Sequence, residues 1–294
     1  QDAQGQTVRE LTCGPRTAAQ QVGQSGQIAA FGGGGGGGAV PCEAKPGINR
    51  VVWDMRARAA VPPLPGAGGG GFLSRVGFRV DPGNYTIKVR LGEKEVSKSL
   101  VLGEDPRVQI TAEDRAKRRQ ALQQITPVMA QAITAQFTIT TLRTTLNTAI
   151  ESWKRPGAPS VPDNVKKAAE DFLKKIDEVY PNWGTPPSEQ AALGNAGPPV
   201  VERPAPLPQR VTQLAFTIEN YTAAPTENDL AQIQNLAQRV KEASDIVRKL
   251  AAEDLPALNK MMADAGIPYI NLPMPPAAAA GGQGRRPPEV EEEP

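Results

Sequence analysis

The sequence predicts an α+β chain in which an incomplete antiparallel β-sandwich is followed by an elongated antiparallel helical bundle. Three observations predict this class. Short runs before residue 108 alternate apolar and polar residues behind Gly or Pro-Gly turns, as strands with one buried face do. Long runs after residue 111 repeat apolar residues every three to five positions, as amphipathic helices do. Gly and Pro, 29 residues each among 294, cluster between these runs and separate them.

The β region is predicted to span 1–108, with Gly-rich insertions. Its candidate strands are 7–11, 48–56, 76–80, 85–91 and 95–102, and Gly92-Glu93-Lys94 is predicted to form the tight loop between the last two. These look like paired strands of an immunoglobulin-like sandwich, but they are too few to close one. Because an incomplete sandwich exposes strand edges, we expect the missing strands to come from another polypeptide or from before Gln1.

The helical region is predicted to span 109–270. Thr111 with Asp114 three residues on is typical of a helix N-terminus, and so is Thr226 with Asp229. We expect helices over 112–154 (kinked at Pro127), 164–180 (capped by Asp163), 209–222 and 226–266, with a Pro-rich connector over 181–208. The tail, 271–294, is rich in Pro, Ala and Gly and is predicted to be extended.

The composition excludes several function classes. Histidine is absent, which removes Ser-His-Asp and Cys-His nucleophiles and His-ligated zinc. The 33 basic and 31 acidic residues are well mixed, so no basic stripe indicates nucleic acid. Acidic residues of the β region fall at strand ends and turns, where solvated carboxylates are expected. We therefore predict a non-enzyme with no catalytic residue, no metal-binding residue and no cofactor, and with no transmembrane segment.

Two cysteines, Cys13 and Cys42, flank an insert that contains seven consecutive glycines. A disulfide between them would close the base of this loop, and it would indicate an oxidising compartment, periplasmic or extracellular. Two unrelated free thiols are the alternative. The sequence favours the disulfide, because no metal-binding or nucleophilic pattern surrounds either cysteine.

Large apolar side chains also occur in or beside the glycine-rich loops. These are Phe31, Phe72 and Leu73. They are candidate anchors for a partner's pocket, since a loop offers such side chains no core of its own. The alternative is that they fold back onto their own sandwich.

Three segments of the β region resemble an immunoglobulin-like module that was first described in the flagellar hook-capping protein. They are 4–11 (QGQTVREL), 47–54 (GINRVVWD) and 82–89 (PGNYTIKV). Together with 105–108 (DPRV) and the long helix that follows, they resemble the C-terminal part of secreted bacterial BNR-repeat or sortilin-like "glycosyl hydrolases". In that family a β-propeller precedes this module and a helical hairpin. The resemblance covers 1–155, and 226–270 more loosely.

The sequence departs from this family in one respect that matters for function. It contains no Ser-x-Asp-x-Gly-x-x-Trp propeller motif. Any hydrolase activity that the resemblance implies would belong to the propeller, so no catalytic residue carries over to this chain.

Together these observations predict a non-catalytic, extracytoplasmic scaffold or interaction subunit that docks on a larger assembly. The partner would be the remainder of its own precursor, or a membrane complex, respiratory or photosynthetic, whose periplasmic face it braces. The alternative is an accessory carbohydrate-binding region of a secreted propeller glycoside hydrolase.

Overall fold

A computed structural model describes residues 1–11, 13, 46–59, 77–157, 160–184 and 204–272. An antiparallel hairpin of two strands is followed by helices that pack together. The elements are β1 (Gly83–Leu91), β2 (Lys94–Leu102), α1 (Ala112–Trp153), α2 (Asp163–Val179), a 3₁₀ turn (Tyr180–Asn182), α3 (Leu207–Asn220), α4 (Glu227–Lys249), a π-helical turn (Leu250–Asp254) and α5 (Leu255–Asp264).

The helix α1 is the central element of the bundle. It begins where predicted, since the Thr111 side chain accepts a hydrogen bond of 3.0 Å from the Asp114 backbone N–H. The helix continues through Pro127 to Trp153, which at 1.5 Å per residue gives a length of roughly 60 Å. It contacts α2, α3 and α4, so the core of the molecule is built around it.

The apolar stripe of α1 is buried, as its spacing predicts. Leu122, Ile125, Met129, Ile133, Leu142, Leu146 and Ile150 are all buried. Phe137, predicted for the same stripe, is only half-buried, whereas Ile139 is fully buried. The helix is enclosed on more than one side, so its buried surface is wider than a single stripe.

The shorter helices depart from prediction at their ends. Pro162, not Asp163, is the N-cap of α2, and Asp163 is instead its first residue. A carboxylate in that first turn still stabilises the helix through the partial positive charge of its N-terminus. The helix α3 begins at Leu207, two residues before its predicted start, with Pro208 in its first turn, where a missing N–H costs nothing.

The last predicted helix is continuous but contains a π-helical turn. It begins with a capping box, in which the side chains of Thr226 and Asp229 bond each other's backbone N–H groups. At the end of the π turn the Leu255 N–H bonds the Leu250 carbonyl, five residues back. Pro256 follows at once. Because its ring has no N–H and clashes with the carbonyl four residues earlier, the wider turn relieves the strain without ending the helix.

The hairpin forms almost as predicted. Its register pairs Gly83 with Leu102 and Leu91 with Lys94. The loop is therefore Gly92-Glu93, and Lys94 already belongs to β2. Gly92 has φ +58° and Glu93 a negative φ, which is the pattern of the type II′ turn that suits the twist of a hairpin.

The other predicted strands are corrected by the structure. The described parts of 7–11, 48–56 and 76–80 contain no regular strand, and no sandwich is present in the described residues. Instead, an antiparallel bridge joins Arg56 to Arg79, and the Arg58 N–H bonds the Val8 carbonyl at 2.8 Å. Met55, at φ +56°, interrupts the extended backbone. An alternating pattern identifies an apolar face, but a strand also needs a paired neighbour along its length.

Contacts from the β region to the helices hold the two together. Phe78 packs against the helical core. Arg119 of α1 pairs with Asp81 at 2.7 Å. No helix in the described ranges has the length and apolar character needed to cross a membrane.

Candidate interaction surface

The hairpin has one apolar face that remains largely uncovered. On β1 it presents Tyr85, Ile87, Val89 and Leu91, and the register places Val96 and Leu100 of β2 beside them. We call these six residues the hairpin face. Between 47% and 78% of the surface of Ile87, Val89, Leu91 and Val96 is exposed. A strand pair of this kind is expected to bury its apolar face, because two strands alone are marginally stable in water.

The hairpin face is covered only at the end nearest the bundle. The ring of Trp53 meets that of Tyr85 edge-on, with centroids 5.6 Å apart. The Tyr85 hydroxyl donates to the Asp81 carbonyl, and burial, with a smaller effect from the carboxylates of Asp81 and Asp2, raises the pKa of Tyr85 above its usual value. Trp53 therefore packs as a structural residue.

Exposed apolar side chains concentrate in the β region. Among the described residues, ten of the fifteen large exposed apolar side chains precede residue 109, although the helical region is described over more than twice as many residues. Ile48, Val51, Val52 and Met55 lie on the segment that carries Trp53, and the remaining six lie at 87–108. Such clustering is typical of an interaction surface, whereas singly scattered apolar residues are normal.

The opposite face of the hairpin is polar and basic. Lys88 and Arg90 of β1 both pair with Glu95 of β2, at 3.2 and 2.8 Å. Two cations thus share one carboxylate. On this face Lys88, Arg90 and Glu95 carry a net charge of +1, whereas the other two lysines, Lys94 and Lys98, lie opposite Leu91 and Ile87 on the hairpin face. This strip would favour an acidic neighbour.

The pKa of Glu95 lies below its usual value, first because Arg90 and then because Lys88 donates hydrogen bonds to its carboxylate. Replacing Arg90 with Gln is expected to raise this pKa toward the ordinary value. The sign follows from linkage: a depressed pKa stabilises the hairpin above the unfolded-state pKa, and that contribution is lost as the pH falls through the folded-state pKa.

The measurement is a ¹³C NMR titration of the Glu95 side-chain carboxyl in the native chain and in Arg90→Gln. Lys94→Gln is the matched control, since Lys94 neighbours Glu95 in sequence but makes no hydrogen bond to it that lowers the pKa. Identical titration curves for all three proteins would contradict the pairing.

A buried ion pair anchors the β region to α3. The Arg56 guanidinium donates from Nη1 to Glu219 Oε1 at 2.8 Å and to the Gly77 carbonyl at 3.0 Å. The Arg79 backbone N–H also donates to Glu219 Oε1, at 2.7 Å. Only 8% of the Arg56 side chain and 3% of the Glu219 side chain are exposed. Charges that are removed from water in this way must stay paired, so this contact fixes where the β region sits.

Gly77 permits this close packing. A Cβ placed on it would lie 2.3 Å from the Arg58 carbonyl oxygen and 2.6 Å from that of Ala57. Only glycine lets these two backbone segments approach so closely. The same approach places the Gly77 carbonyl within reach of Arg56.

No group of three Asp, Glu, Cys or His residues in the described ranges could hold a metal ion. A shallow depression of about 370 Å³ lies between the C-terminal end of α1 and residues 268–271. It is lined by Thr144, Thr145, Thr148, Ala149, Ser152, Pro268, Tyr269, Ile270 and Asn271, which include no charged side chain.

The partner-binding residues predicted from sequence are not tested by the structure. Phe31, Phe72 and Leu73 lie outside the described residues. Cys13 is not a free thiol, but Cys42 lies outside the described residues, so the disulfide between them stays a prediction. Sequence reasoning missed the Arg56–Glu219 anchor. A signal was present, since Glu219 follows Val211 and Ala215 at helical spacing on the buried face of α3.

Comparisons with protein-family models, with curated proteins and with solved structures found no significant match to this chain.

Proposed function

We propose that this chain is a non-catalytic scaffold or interaction subunit that docks its β region on a larger assembly. The single observation that carries the proposal is the exposed hairpin face, with Ile87, Val89, Leu91 and Val96 open to solvent. Leaving a cluster of apolar side chains in water is unfavourable, by about 25 cal/mol for each Å² of apolar surface that stays exposed. A partner that covers the cluster recovers this free energy.

The helical bundle supports this proposal as a rigid base. The Arg56–Glu219 pair and the packing of Phe78 hold the β region against α3 and the core, so the hairpin face is presented in a fixed position. A surface held in place before binding loses little conformational entropy when a partner arrives.

The immunoglobulin-like form of the β region is part of the same proposal. The two-stranded hairpin and the bridge between Arg56 and Arg79 support this form, because an incomplete sandwich would contain paired fragments of this kind. The family resemblance supports it through the matching segments near 4–11, 47–54 and 82–89. The missing strands would then be supplied by the partner, which is the remainder of the chain's own precursor or a membrane complex at the periplasmic face.

Carbohydrate binding, the alternative predicted from sequence, receives less support. Sugar-binding surfaces use exposed aromatic platforms. Here Trp53 and Trp153 are half-buried and Trp183 is fully buried, and the exposed aromatic side chains of the described residues are Phe216, Tyr221 and Tyr269, none of them a tryptophan. The extracytoplasmic location stays part of the proposal and depends on the Cys13–Cys42 disulfide.

The proposal is tested by site-specific photo-cross-linking of the full chain in the cells that produce it. A photoreactive residue at Val89 or Val96 is expected to yield one recurrent adduct, identified by mass spectrometry. The matched control places the same residue at Leu230 of α4, which is also apolar and 39% exposed. The cross-linked protein, once purified, should bind the native chain and lose binding to Val89→Asp/Val96→Asp. Absence of adducts at both hairpin positions, with the chain recovered only as a monomer, would refute the scaffold role.

A further inference from the structure

We infer that the outer edge of β1 accepts an antiparallel strand from the partner, and that this strand alternates acidic and apolar residues. The inference rests on the proposed function and specifies how docking occurs. The edge in question is the side of β1 that faces away from β2, over Lys88 and Arg90.

The direction of the added strand follows from a contact that already exists. Gln1 and Thr86 exchange two backbone hydrogen bonds, at 2.8 and 2.9 Å. Such an exchange between two residues occurs only in antiparallel pairing, so Gln1 runs antiparallel to β1 on this edge. The turn at Asp2–Gly5 then leads the chain away.

The rest of the edge offers its hydrogen-bonding groups to a neighbour. Because the two-residue loop makes Leu91 and Lys94 a hydrogen-bonded pair, Val89 and Ile87 also point their backbone groups at β2. Lys88 and Arg90 therefore point theirs outward, as Thr86 does. In the described part of the chain, no backbone group bonds them on that side. An unpaired edge of this kind is a template for strand addition.

The side chains beside this edge define what the added strand must carry. On the polar face, Lys88 and Arg90 share the single carboxylate of Glu95, so a neighbouring strand gains by placing acidic residues beside them. On the hairpin face, the strand would lie beside Ile87, Val89 and Leu91, where apolar residues are favoured. Strand side chains alternate between faces, so acidic and apolar residues must alternate along the partner.

A second copy of this chain fits the edge poorly. Antiparallel pairing of β1 with its own copy would bring the Lys88 and Arg90 side chains of the two copies together on one face. Like charges that lie opposite each other in a ladder are destabilising. The charge pattern therefore selects a different, acidic strand.

The test uses the full chain and a capped peptide of alternating glutamate and valine, with a lysine–valine peptide of equal length as control. Hydrogen exchange at the Lys88 and Arg90 amides, followed by NMR, is expected to slow on adding the acidic peptide and not on adding the basic one. Equal protection by both peptides, or by neither, would overturn the inference.

Two proline variants locate the binding edge. Lys88→Pro removes an outward N–H without touching the bonds between β1 and β2, and it is expected to weaken binding of the acidic peptide about tenfold or more. Ser97→Pro is the matched control, because Ser97 lies opposite Lys88 and its N–H points outward from β2. It should bind as the native chain does. Lys88→Gln distinguishes the contribution of the side-chain charge from that of the backbone N–H. It removes the charge but keeps the N–H, so it is expected to weaken binding only a few-fold.

Protected amides at Ile87 and Val89 show that each variant keeps the hairpin. Equal loss of binding in Lys88→Pro and Ser97→Pro would overturn the choice of edge. Cross-links at Val89 that survive unchanged in Lys88→Pro would refute strand addition and leave the proposed scaffold function intact. Concentration-dependent dimers in sedimentation, abolished by Lys88→Pro, would instead identify a second copy as the occupant and overturn the inference.

Discussion

Replacing Arg56 with Met is expected to lower the free energy of unfolding by about 3–5 kcal/mol. The variant leaves the Glu219 carboxylate buried against α3 with no opposite charge, since only 3% of its side chain is exposed. Glu219 Oε2 already has no hydrogen-bond partner in the described part of the chain, so it has little to replace the guanidinium. The measurement is urea unfolding followed by far-UV circular dichroism and tryptophan fluorescence.

Arg119→Met is the matched control. It removes the exposed pair with Asp81, which also joins the β region to the bundle, and it is expected to cost no more than about 1 kcal/mol. The double variant Arg56→Met/Glu219→Leu should recover much of the lost stability, because it leaves no buried charge. If Arg56→Met costs no more than Arg119→Met, the pair is not the anchor that its burial indicates.

The helices could be predicted because their signals are local. The predicted α1 ends within one residue of the observed Trp153, since the spacing of apolar residues and the Thr111–Asp114 cap depend only on neighbours along the chain. The buried surface of α1 is wider than its apolar stripe and includes Ile139. This width depends on which helices pack against α1, so the spacing of apolar residues within α1 could not predict it.

The β region was harder to predict because strands depend on partners. Only 83–102, where two alternating runs are joined by Gly92-Glu93, supplies both strands of a pair within the described residues. The run around Val51 has the same pattern but no ladder, so it is not a strand. Arg56 and Glu219 lie 163 residues apart, so the spacing that places Glu219 on the buried face of α3 could not identify its partner.

The candidate surface was partly visible in the sequence. Alternation over 85–91 identified the apolar face of the hairpin, but it could not show whether anything covers that face. The structure shows Val89 and Leu91 exposed. The opposing basic strip of Lys88 and Arg90 was visible only as polar positions, because its shared carboxylate, Glu95, becomes a neighbour only once the register is known.

Replacing Trp183 with Ala is expected to lower the free energy of unfolding by about 3–5 kcal/mol. Sequence reasoning placed this residue in a Pro-rich connector, yet it is fully buried after the 3₁₀ turn that ends α2. Gln136 of α1 donates to its carbonyl at 2.6 Å and holds the turn against the core. Removing the indole would leave a cavity that this fixed turn cannot fill.

Trp183→Phe distinguishes the effect of ring volume on stability from the effect of the buried indole N–H. Nε1 of Trp183 is buried without a hydrogen-bond partner in the described ranges, and an unpaired buried donor costs about 1–3 kcal/mol. Phenylalanine keeps most of the apolar ring and removes this penalty, so the gain offsets part of the lost packing. We expect a loss within about 1.5 kcal/mol in urea unfolding, with the half-buried Trp153→Ala as a control that costs less than Trp183→Ala. A Phe variant as unstable as the Ala variant would show that Nε1 does have a partner, since its removal would then bring no gain.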